Sequence, residues 1–248
     1  MRPAEFVLVD ISNSFTKVAF SSRERIGGVS RVPTNELTPG SLGKLLGARK
    51  AKHAVVASVV PARNRALTNI LPSPICWVSH KIPLGIGIDY PRPETIGADR
   101  LANAAAAVAL YGFPAVVVDF GTAVTFDVIS PVGDYAGGVI APGLSVMTDY
   151  LHTQTALLPR VTLREPRQAI GRSTLEAMRS GAVYGYRGLV AEILRQILAE
   201  IPSKSPPALI ATGGHAKIIA GSTGLFSSVS PTLTLQGLRL IGCRNFPH

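Results

Sequence analysis

Two segments of the chain combine a short hydrophobic run with an aspartate at its end. The clearer one, residues 115–129, reads AVVVDFGTAVTFDVI. This pattern predicts a buried strand ending at Asp119, a turn at Gly121-Thr122, and an alternating strand that returns. Such a turn brings backbone N–H groups, a hydroxyl and a carboxylate to one point, which a phosphate with its cation requires. A hairpin with a purely structural turn would give a similar pattern.

Residues 6–20, FVLVDISNSFTKVAF, repeat this plan with Asp10 at the strand end and a small polar turn behind it. Placing Asp10 on Asp119 also places Thr16 on Thr125. Two copies of one strand–turn–strand unit predict a duplicated domain in which two phosphate-holding hairpins face a common cleft.

The rest of the hydrophobic pattern predicts the element order of a ribonuclease-H-like domain, namely three antiparallel strands, helix, strand, helix and strand. In the first half the predicted strands are residues 5–10, 15–20, 25–32, 55–60 and 75–78. The predicted helices of this half begin near Ser41 and at Pro61. In the second half, after the hairpin, strands are predicted at 135–141 and from 209. Helices are predicted from Pro142-Gly143 and from Ser173 or Thr174 to about 199. We therefore predict an α/β protein with two duplicated ribonuclease-H-like domains, residues 1–113 and 114–248.

Composition and charge narrow the functional classes. The 248 residues carry a net charge of +10, and the lysines and arginines are scattered along the chain. We interpret this as a basic surface that attracts small anions, because the chain lacks the basic helix or aromatic-studded basic strand of a nucleic-acid-binding protein. Nucleic-acid binding stays an alternative that rests on charge alone.

One uncharged run, residues 101–118, is long enough to be weighed as a membrane span. Its alanines are weakly hydrophobic, and Gly112 and Pro114 interrupt it, so a buried helix followed by a strand fits better. The first residues lack a signal-peptide core, and the two cysteines form no CxxC pair. These observations predict a soluble, cytoplasmic protein that binds no membrane.

Candidate chemistry also lies between the two hairpins. Residues 85–93 are rich in Gly and Pro and predict a loop, on which Tyr90 can line a pocket. A helix is expected to begin near Asp99-Arg100. A carboxylate in a first helical turn complements the helix dipole but an arginine does not, so the pair favours a functional site over a simple cap.

A glycine pair, Gly213-Gly214, stands between a predicted strand and a helix. Glycines at such a junction allow a flat ligand or a phosphate to approach the backbone closely. The neighbouring His215 is interpreted as a bystander.

Seven short motifs follow one another over residues 6–240. They are Asp-Ile-x-Asn-Ser (10–14), Tyr-Pro (90–91), Gly-x-Asp-Arg (97–100), Asp-x-Gly-Thr-Ala-x-Thr (119–125), Gly-Gly-x-Ile-x-Pro-Gly (137–143), Gly-x-x-Thr (171–174) and Thr-Gly-Gly (212–214). In this order and spacing the sequence resembles the type III pantothenate kinase family, which belongs to the acetate kinase, sugar kinase, Hsp70 and actin superfamily. The resemblance implies an actin-like ATPase fold around a nucleotide cleft.

The resemblance also implies an activity and a set of site residues. The activity is ATP-dependent phosphorylation of the pantothenate hydroxyl, the first step towards coenzyme A, by a homodimer that uses Mg²⁺ and either K⁺ or NH₄⁺. Asp99 becomes the catalytic base, Asp119 the ligand of the monovalent cation, and Asp10 a ligand of Mg²⁺ through water. The residues around pantothenate are Tyr90, Gly97, Ala98, Asp99, Arg100 and Thr174. The residues around ATP are Asp10, Ser12, Asn13, Ser14, Thr16 and Lys17 in the first loop, Gly121 and Thr122 in the second, and Gly213 and Gly214 at the nucleoside.

One residue departs from the family pattern, because the family has glycine where Ser12 stands. A left-handed backbone there would strain a serine by roughly 1 kcal/mol. With a negative φ the serine is unstrained, and we favour this outcome because Asn13 and Ser14 supply turn chemistry themselves. Two further functions stay open: a kinase of another small hydroxy acid, and a non-catalytic relative with a regulatory or binding role, which only Ser12 supports.

Overall fold

The computed structural model describes residues 3–201, 205–221 and 223–247, apart from the side chain of Ala66. The chain forms two compact units. The first consists of Met1–Tyr111, Gly133–Ala136 and Thr232–His248, and the second of Gly112–Val132 and Gly137–Pro231.

The described residues of the first half form six strands and three α-helices. The strands are β1 (Ala4–Ile11), β2 (Phe15–Ser21), β3 (Ile26–Pro33), β4 (Ala51–Ser58), β5 (Ile75–Trp77) and the two-residue β6 (Gly87–Ile88). The helices are α1 (Pro39–Leu46), α2 (Pro61–Leu67) and α3 (Ala98–Tyr111), with short 3-10 turns at Thr34–Glu36 and Pro93–Thr95.

The second half also begins with three strands, and its helix α5 is the longest among the described residues. Its strands are β7 (Ala115–Phe120), β8 (Ala123–Ile129), β9 (Asp134–Pro142), β10 (Ala208–Thr212) and β11 (Ser228–Val229). Its helices are α4 (Leu144–Gln154), α5 (Thr174–Glu200), α6 (Ala216–Ala220) and α7 (Leu233–Asn245). The long helix α5 begins where the sequence predicted, because the Ser173 hydroxyl caps it by accepting a hydrogen bond from the Glu176 N–H.

The two sheets share one topology. The strand order is β3-β2-β1-β4-β5 in the first sheet and β11-β10-β7-β8-β9-β6 in the second. Counted from the first strand of each half, both sheets contain the order 3-2-1-4-5, and β6 adds a sixth strand beside β9 in the second sheet. The first two strands of each half are antiparallel, and the first and fourth are parallel. The prediction of an α/β protein with two duplicated ribonuclease-H-like domains is therefore confirmed.

Each half buries its first strand in a hydrophobic core of its own. Residues Val7 and Val9 of β1 belong to a buried cluster with Leu42 of α1. In the second unit, Val116 of β7 belongs to a cluster with Val190 of α5. Because both faces of these strands are covered, the strands read as continuous apolar runs and their ends are held firmly. The aspartates at those ends have fixed positions within their units.

The last helix, α7, groups with the first unit. It packs against α3 so closely that a Cβ added at Gly237 would collide with the carbonyl oxygen of Ala102. Along the chain, the first boundary between the units follows Tyr111, near the predicted boundary at 113. The predicted second domain, residues 114–248, also contains segments that group with the first unit. The order of elements along the chain cannot predict that α7 groups with the first unit. The helix follows β11 in the sequence but packs against α3.

Three predicted bounds differ from the structure. Helix α1 begins at Pro39 instead of near Ser41, because Thr38 and Ser41 form a capping box in which each side chain accepts the other's backbone N–H. Strand β4 covers Ala51–Ser58 instead of 55–60, since it pairs with β1 from Ala4 onward. The predicted loop 85–93 includes β6, which pairs with the start of β9.

The two hairpins also differ in register. Asp10 pairs with Lys17, whereas Asp119 pairs with Thr125. The first turn contains one residue more than the second, so Thr16 is not the structural counterpart of Thr125. Lys17 occupies that position instead.

Among the described residues, no helix is both long enough and apolar enough to cross a membrane. The run 101–118 divides into α3 and β7, as predicted. The cytoplasmic location stays a prediction.

Candidate active site

The first candidate loop closes the β1–β2 hairpin around the carboxylate of Asp10. This carboxylate is 1% exposed, its Oδ1 accepts a hydrogen bond from the Ser12 hydroxyl at 2.8 Å, and its Oδ2 lies 3.2 Å from the Lys17 ammonium. Because the ion pair is largely buried, both charges are held in place by their contacts. The Lys17 side chain is 31% exposed and remains accessible to an anion.

Thr34, which the sequence analysis did not single out, fixes the backbone of this loop. Its hydroxyl donates to the Ser12 carbonyl at 2.7 Å and its N–H donates to the Ser14 carbonyl at 3.0 Å. The Thr16 hydroxyl is also bonded to the Thr34 hydroxyl, at 3.0 Å. Thr16 is fully buried and supports the loop from beneath; its role as a phosphate contact stays a prediction. Asn13 and Ser14 are exposed at the tip.

Ser12 adopts an unstrained backbone. No non-glycine residue in the described part of the chain has a positive φ, so the serine does not carry the steric cost of a left-handed conformation. The favoured prediction for this position is confirmed. The hydroxyl, however, donates to Asp10, and this bond orients the carboxylate toward Lys17.

We expect Ser12→Gly to leave kcat within a few-fold of wild type, because the turn does not need glycine. The comparison is kcat and the ATP KM of both proteins at saturating pantothenate. A gain in kcat of tenfold or more, about 1.4 kcal/mol of barrier, would show instead that Ser12 is a defect. Thr38→Gly, at an exposed helix cap outside the loop, controls for a general effect of added glycine.

Asp99 lies in the first turn of α3 in the first unit. Its Oδ1 accepts a hydrogen bond from the Arg100 N–H at 2.8 Å, and the side chain is half-buried. A Cβ added at Gly97 would lie 2.6 Å from this oxygen and 3.5 Å from Cγ1 of Val59. A larger residue at 97 would therefore displace the Asp99 carboxylate from this position.

The proximity of Val59 places Asp99 near the carboxyl ends of the strands of the first sheet, where the first candidate loop also lies. Val59 follows β4 directly, and its N–H donates to the carbonyl of Ile11, the last residue of β1, at 3.0 Å. Asp10 precedes Ile11 on that strand. The carboxyl ends of two parallel strands therefore bring the candidate base and the first candidate phosphate loop to one side of the unit.

The Tyr135 ring contacts two further candidate substrate residues of the first unit, Arg100 and Tyr90. The Arg100 guanidinium carbon lies 5.7 Å from the centre of the Tyr135 ring, and the Tyr90 ring meets that ring edge-on at 6.1 Å. A cation over an aromatic face is held electrostatically. Sequence reasoning missed Tyr135, which is almost fully buried; its position as the first residue of a predicted strand gave no functional signal.

The second candidate loop closes the β7–β8 hairpin in the second unit. Asp119 has Thr125 and Thr212 as its cross-strand neighbours. The turn is closed by a hydrogen bond from the Gly121 N–H to the Ala123 carbonyl at 3.1 Å, and Thr122 is exposed at its tip. The Asp119 carboxylate therefore lies at the strand end next to this turn, and its role at a phosphate stays a prediction.

Two glycines pack directly against this turn. The Gly143 N–H donates to the Thr122 carbonyl at 3.0 Å, and a Cβ there would lie 2.5 Å from the Gly121 carbonyl oxygen. Gly213 has a φ of +92° and lies against Asp119 and Phe120. Gly213, one of the two predicted nucleoside residues, thus contacts the strand end that carries the second candidate loop, whereas Gly214 is exposed beside open space.

His215 follows Gly213-Gly214 and is hydrogen-bonded to the end of β7. Its N–H donates to the Phe120 carbonyl at 3.2 Å, and its Nε2 lies 3.3 Å from the Ser145 hydroxyl of α4. Burial lowers the pKa of His215 below its usual range, which favours a neutral ring. Thr174, the predicted pantothenate contact of the second unit, is the first residue of α5 and is exposed.

Within the described ranges, no group of three or more His, Cys, Asp or Glu residues could hold a metal ion. Mg²⁺ in nucleotide sites commonly takes one or two carboxylates together with phosphate oxygens.

The two sheets and their strand order give the chain the fold of the actin-like ATPases and sugar kinases. The ethanolamine utilization protein EutJ from Carboxydothermus hydrogenoformans matches with a TM-score of 0.58 and 15% identity, over 97% of this chain and 91% of that chain. Component A of (R)-2-hydroxyglutaryl-CoA dehydratase from Acidaminococcus fermentans matches with a TM-score of 0.55 and 14% identity, over 97% and 96%. At such identities the likeness shows the fold alone.

Sequence relatives identify the family. The type III pantothenate kinase family model matches residues 6–196. The type III pantothenate kinase of Akkermansia muciniphila is 51% identical over 236 residues, which are 95% of this chain and 97% of that protein. The type III pantothenate kinase of Methylacidiphilum infernorum is 42% identical over 236 residues, 95% of this chain and 87% of that protein. The chain belongs to the type III pantothenate kinase family.

Proposed function

We propose that this chain transfers the γ-phosphate of ATP to the hydroxyl of pantothenate and so forms 4′-phosphopantothenate, the first step of coenzyme A biosynthesis. Family membership supports this activity. The structural observation that carries it is the position of Asp99 and Arg100 at the sheet edge that also bears the Asp10 loop. A candidate base, an acid-binding arginine and a candidate phosphate loop then lie in one unit.

Asp99 is the proposed general base. A primary alcohol is a weak nucleophile, and a carboxylate within reach of its proton orients it and finally accepts the proton. The Arg100 N–H donates to one oxygen of this carboxylate and so orients it, and the carboxylate is the proposed proton acceptor. Arg100 can bind the carboxylate of pantothenate with paired hydrogen bonds, since its guanidinium is already positioned over Tyr135.

The two loops are proposed to hold ATP. Phosphoryl transfer depends mainly on positioning and on stabilising charge, which backbone N–H groups and cations supply. In the first unit the proposed contacts are Ser12, Asn13, Ser14 and Lys17. In the second unit they are Gly121, Thr122, Gly213 and Gly214. The basic character of the chain, with a net charge of +10, suits two anionic substrates.

ATP-dependent transfer implies a divalent metal such as Mg²⁺, which would neutralise charge on the phosphates when bound. Oxygen donors suit this ion, and Asp10 supplies them. Both oxygens of its carboxylate already have contacts, from Ser12 and from Lys17. A contact between Asp10 and the metal through water therefore fits the residues better than direct coordination.

A monovalent cation at Asp119 is supported by comparison of the two repeats. In the first repeat the chain itself supplies a cation beside the aspartate, because Asp10 pairs with Lys17. In the second repeat the equivalent position is Thr125, which offers a hydroxyl oxygen instead. Two negative groups, a carboxylate and a phosphate, become compatible at one place when a cation lies between them.

We expect K⁺ or NH₄⁺ to activate the enzyme and Na⁺ not to, and we expect Asp119→Ala to lose this response. The measurement is the initial rate in chloride salts of the three ions at constant ionic strength. Asp149→Ala, which removes an exposed carboxylate of α4, is the matched control and should keep the wild-type response. Equal wild-type rates in Na⁺ and K⁺ would contradict the assignment.

The proposed homodimer is supported by an exposed apolar face on α4. Val146, Met147, Tyr150 and Leu151 are each exposed by more than a third, and Tyr150 by 63%. Their spacing places them on one side of the helix. A second copy of the chain is the occupant that the family resemblance implies, and it would remove this apolar surface from water.

Tyr150→Glu is expected to shift the protein from twice its monomer mass of 26.1 kDa to the monomer mass, because it places a charge in the apolar face. Light scattering after gel filtration measures the change. Val132→Glu alters a residue that is 74% exposed in the turn before β9 and should leave the dimer intact. A wild-type protein that elutes as a monomer at micromolar concentration would contradict the proposal.

The alternatives are separated by a coupled assay of ADP release with and without pantothenate. Pantothenate-dependent release supports the proposed function and excludes a non-catalytic relative. A kinase of another hydroxy acid would release ADP with that acid, and pantothenate would act on it only as a competitor. Ser12, which alone supported the non-catalytic alternative, has no strained backbone.

A further inference from the structure

A cavity of about 440 Å³ lies in the second unit, between the irregular segment before α5 and the first turns of that helix. Three arginines line it, Arg164 and Arg167 from the segment and Arg179 from the helix. None of its lining residues belongs to the candidate active site. A long connection without regular structure is uncommon in a compact domain unless it has a function.

Arg179 is the most informative of these residues because it is only 7% exposed. Its Nε donates to the Thr162 carbonyl at 3.3 Å, and this contact holds the guanidinium at the wall of the cavity. Within the described ranges, no carboxylate forms an ion pair with Arg179 within 4.0 Å. A buried cation without a counter-charge is costly, and an anion in the adjoining cavity would compensate for it.

The two acidic residues that line the cavity do not supply a counter-charge for Arg179. Glu165 is bound by Arg187 through two hydrogen bonds of 2.9 and 2.6 Å, and this partner lowers the pKa of Glu165. Glu176 directs its Oε2 to the Arg172 N–H at 2.9 Å, at the start of α5. The charge of Glu165 is therefore balanced by an arginine outside the cavity, and the three lining arginines face a single further carboxylate.

We propose that this cavity binds a small organic phosphate, held by Arg164, Arg167 and Arg179. Guanidinium groups match phosphate oxygens with paired hydrogen bonds, and three of them suit a group that carries two negative charges. The cavity volume leaves room for an organic part beside the phosphate. The Ser180 hydroxyl is engaged with the Gln168 carbonyl at 3.0 Å, so it stabilises the segment that forms the wall.

Binding at this site does not depend on the proposed kinase reaction, and it can be tested without an assay of activity. The first experiment soaks crystals of the full chain with tungstate, an anion that anomalous scattering locates directly. The expected result is tungstate between the three arginines. Tungstate found only elsewhere in the molecule would overturn the proposal.

The second experiment measures the affinity for pyrophosphate by calorimetry, with ADP present in excess to occupy a nucleotide site. The double variant Arg164→Gln/Arg167→Gln is expected to bind at least tenfold more weakly than wild type. The matched control is Arg160→Gln/Arg172→Gln, which removes two charges from the same segment but none from the cavity lining. It should bind within about twofold of wild type.

Equal losses in the two double variants would overturn the proposal, because they would show attraction by overall charge. Tungstate in the crystal without measurable pyrophosphate binding in solution would identify an adventitious ion only and would also overturn it. Arg179→Gln gives a further check in which the buried charge itself is removed. Its thermal unfolding is expected to respond less to pyrophosphate than that of wild type.

Discussion

Asp99→Asn is expected to lower pantothenate-dependent turnover by about 10²- to 10⁴-fold, the usual contribution of a general base. Asparagine keeps the size of the side chain and retains an Oδ1 that can accept the Arg100 N–H. The first turn of α3 should therefore remain folded while the group that accepts the proton is lost. Steady-state kcat and thermal unfolding, measured on the same preparation, separate these two effects.

Glu94→Gln is the matched control for this variant. Glu94 is an exposed carboxylate in the 3-10 turn that precedes α3, and its neutralisation should leave kcat close to wild type. A kcat above about one tenth of wild type for Asp99→Asn would contradict the assignment of the base.

Gly213→Ala is expected to destabilise the second unit by about 3 kcal/mol, the combined cost of a left-handed alanine and of overpacking. The residue has a φ of +92°, and an added Cβ would lie 2.6 Å from the Phe120 nitrogen and against the Asp119 carboxylate. These atoms belong to the end of β7 and cannot move without the hairpin that follows. Urea unfolding measures the loss, and the ATP KM should rise because the second loop is displaced.

Gly214→Ala provides the comparison at the neighbouring position. Nothing lies within 4 Å of a Cβ added there, so its unfolding free energy should remain near that of wild type. If Gly214 contacts the nucleoside as proposed, its ATP KM should still rise. Equal stabilities of the two variants would show that the packing around Gly213 does not constrain the loop.

The sequence was sufficient to predict the two hairpins and the duplication. Valine-rich runs that end at Asp10 and Asp119 indicate buried strands, because a charged residue ends an apolar run at the point where the strand leaves the core. The N-terminal cap of α5 and the start of α4 at Pro142-Gly143 could also be predicted, since each depends on residues next to one another in the chain.

Features that depend on distant parts of the chain could not be predicted. The packing of α7 on α3 depends on the close approach of Gly237 to Ala102. Tyr135 forms part of the candidate pantothenate site only because its ring meets both Tyr90 and Arg100. The role of Thr34 depends on bonds to Ser12 and Ser14, which lie on the neighbouring hairpin.

The hairpin register was wrong for a different reason. A match of letters at a constant offset placed Thr16 on Thr125, whereas the additional residue in the first turn moves the pairing by one position. Because side chains alternate between the faces of a sheet, a shift of one residue changes which side chain faces the aspartate. Lys17, not Thr16, therefore lies beside Asp10, and the two loops differ in charge.

The most direct test of the account is transfer of labelled phosphate from [γ-³²P]ATP to pantothenate by the purified full chain. With Mg²⁺ and K⁺ present, we predict a labelled product that requires pantothenate and that co-migrates with 4′-phosphopantothenate. The Asp99→Asn protein should form almost none of it. Hydrolysis of ATP at the same rate without pantothenate, or the absence of labelled product from a folded wild-type protein, would contradict the proposed function.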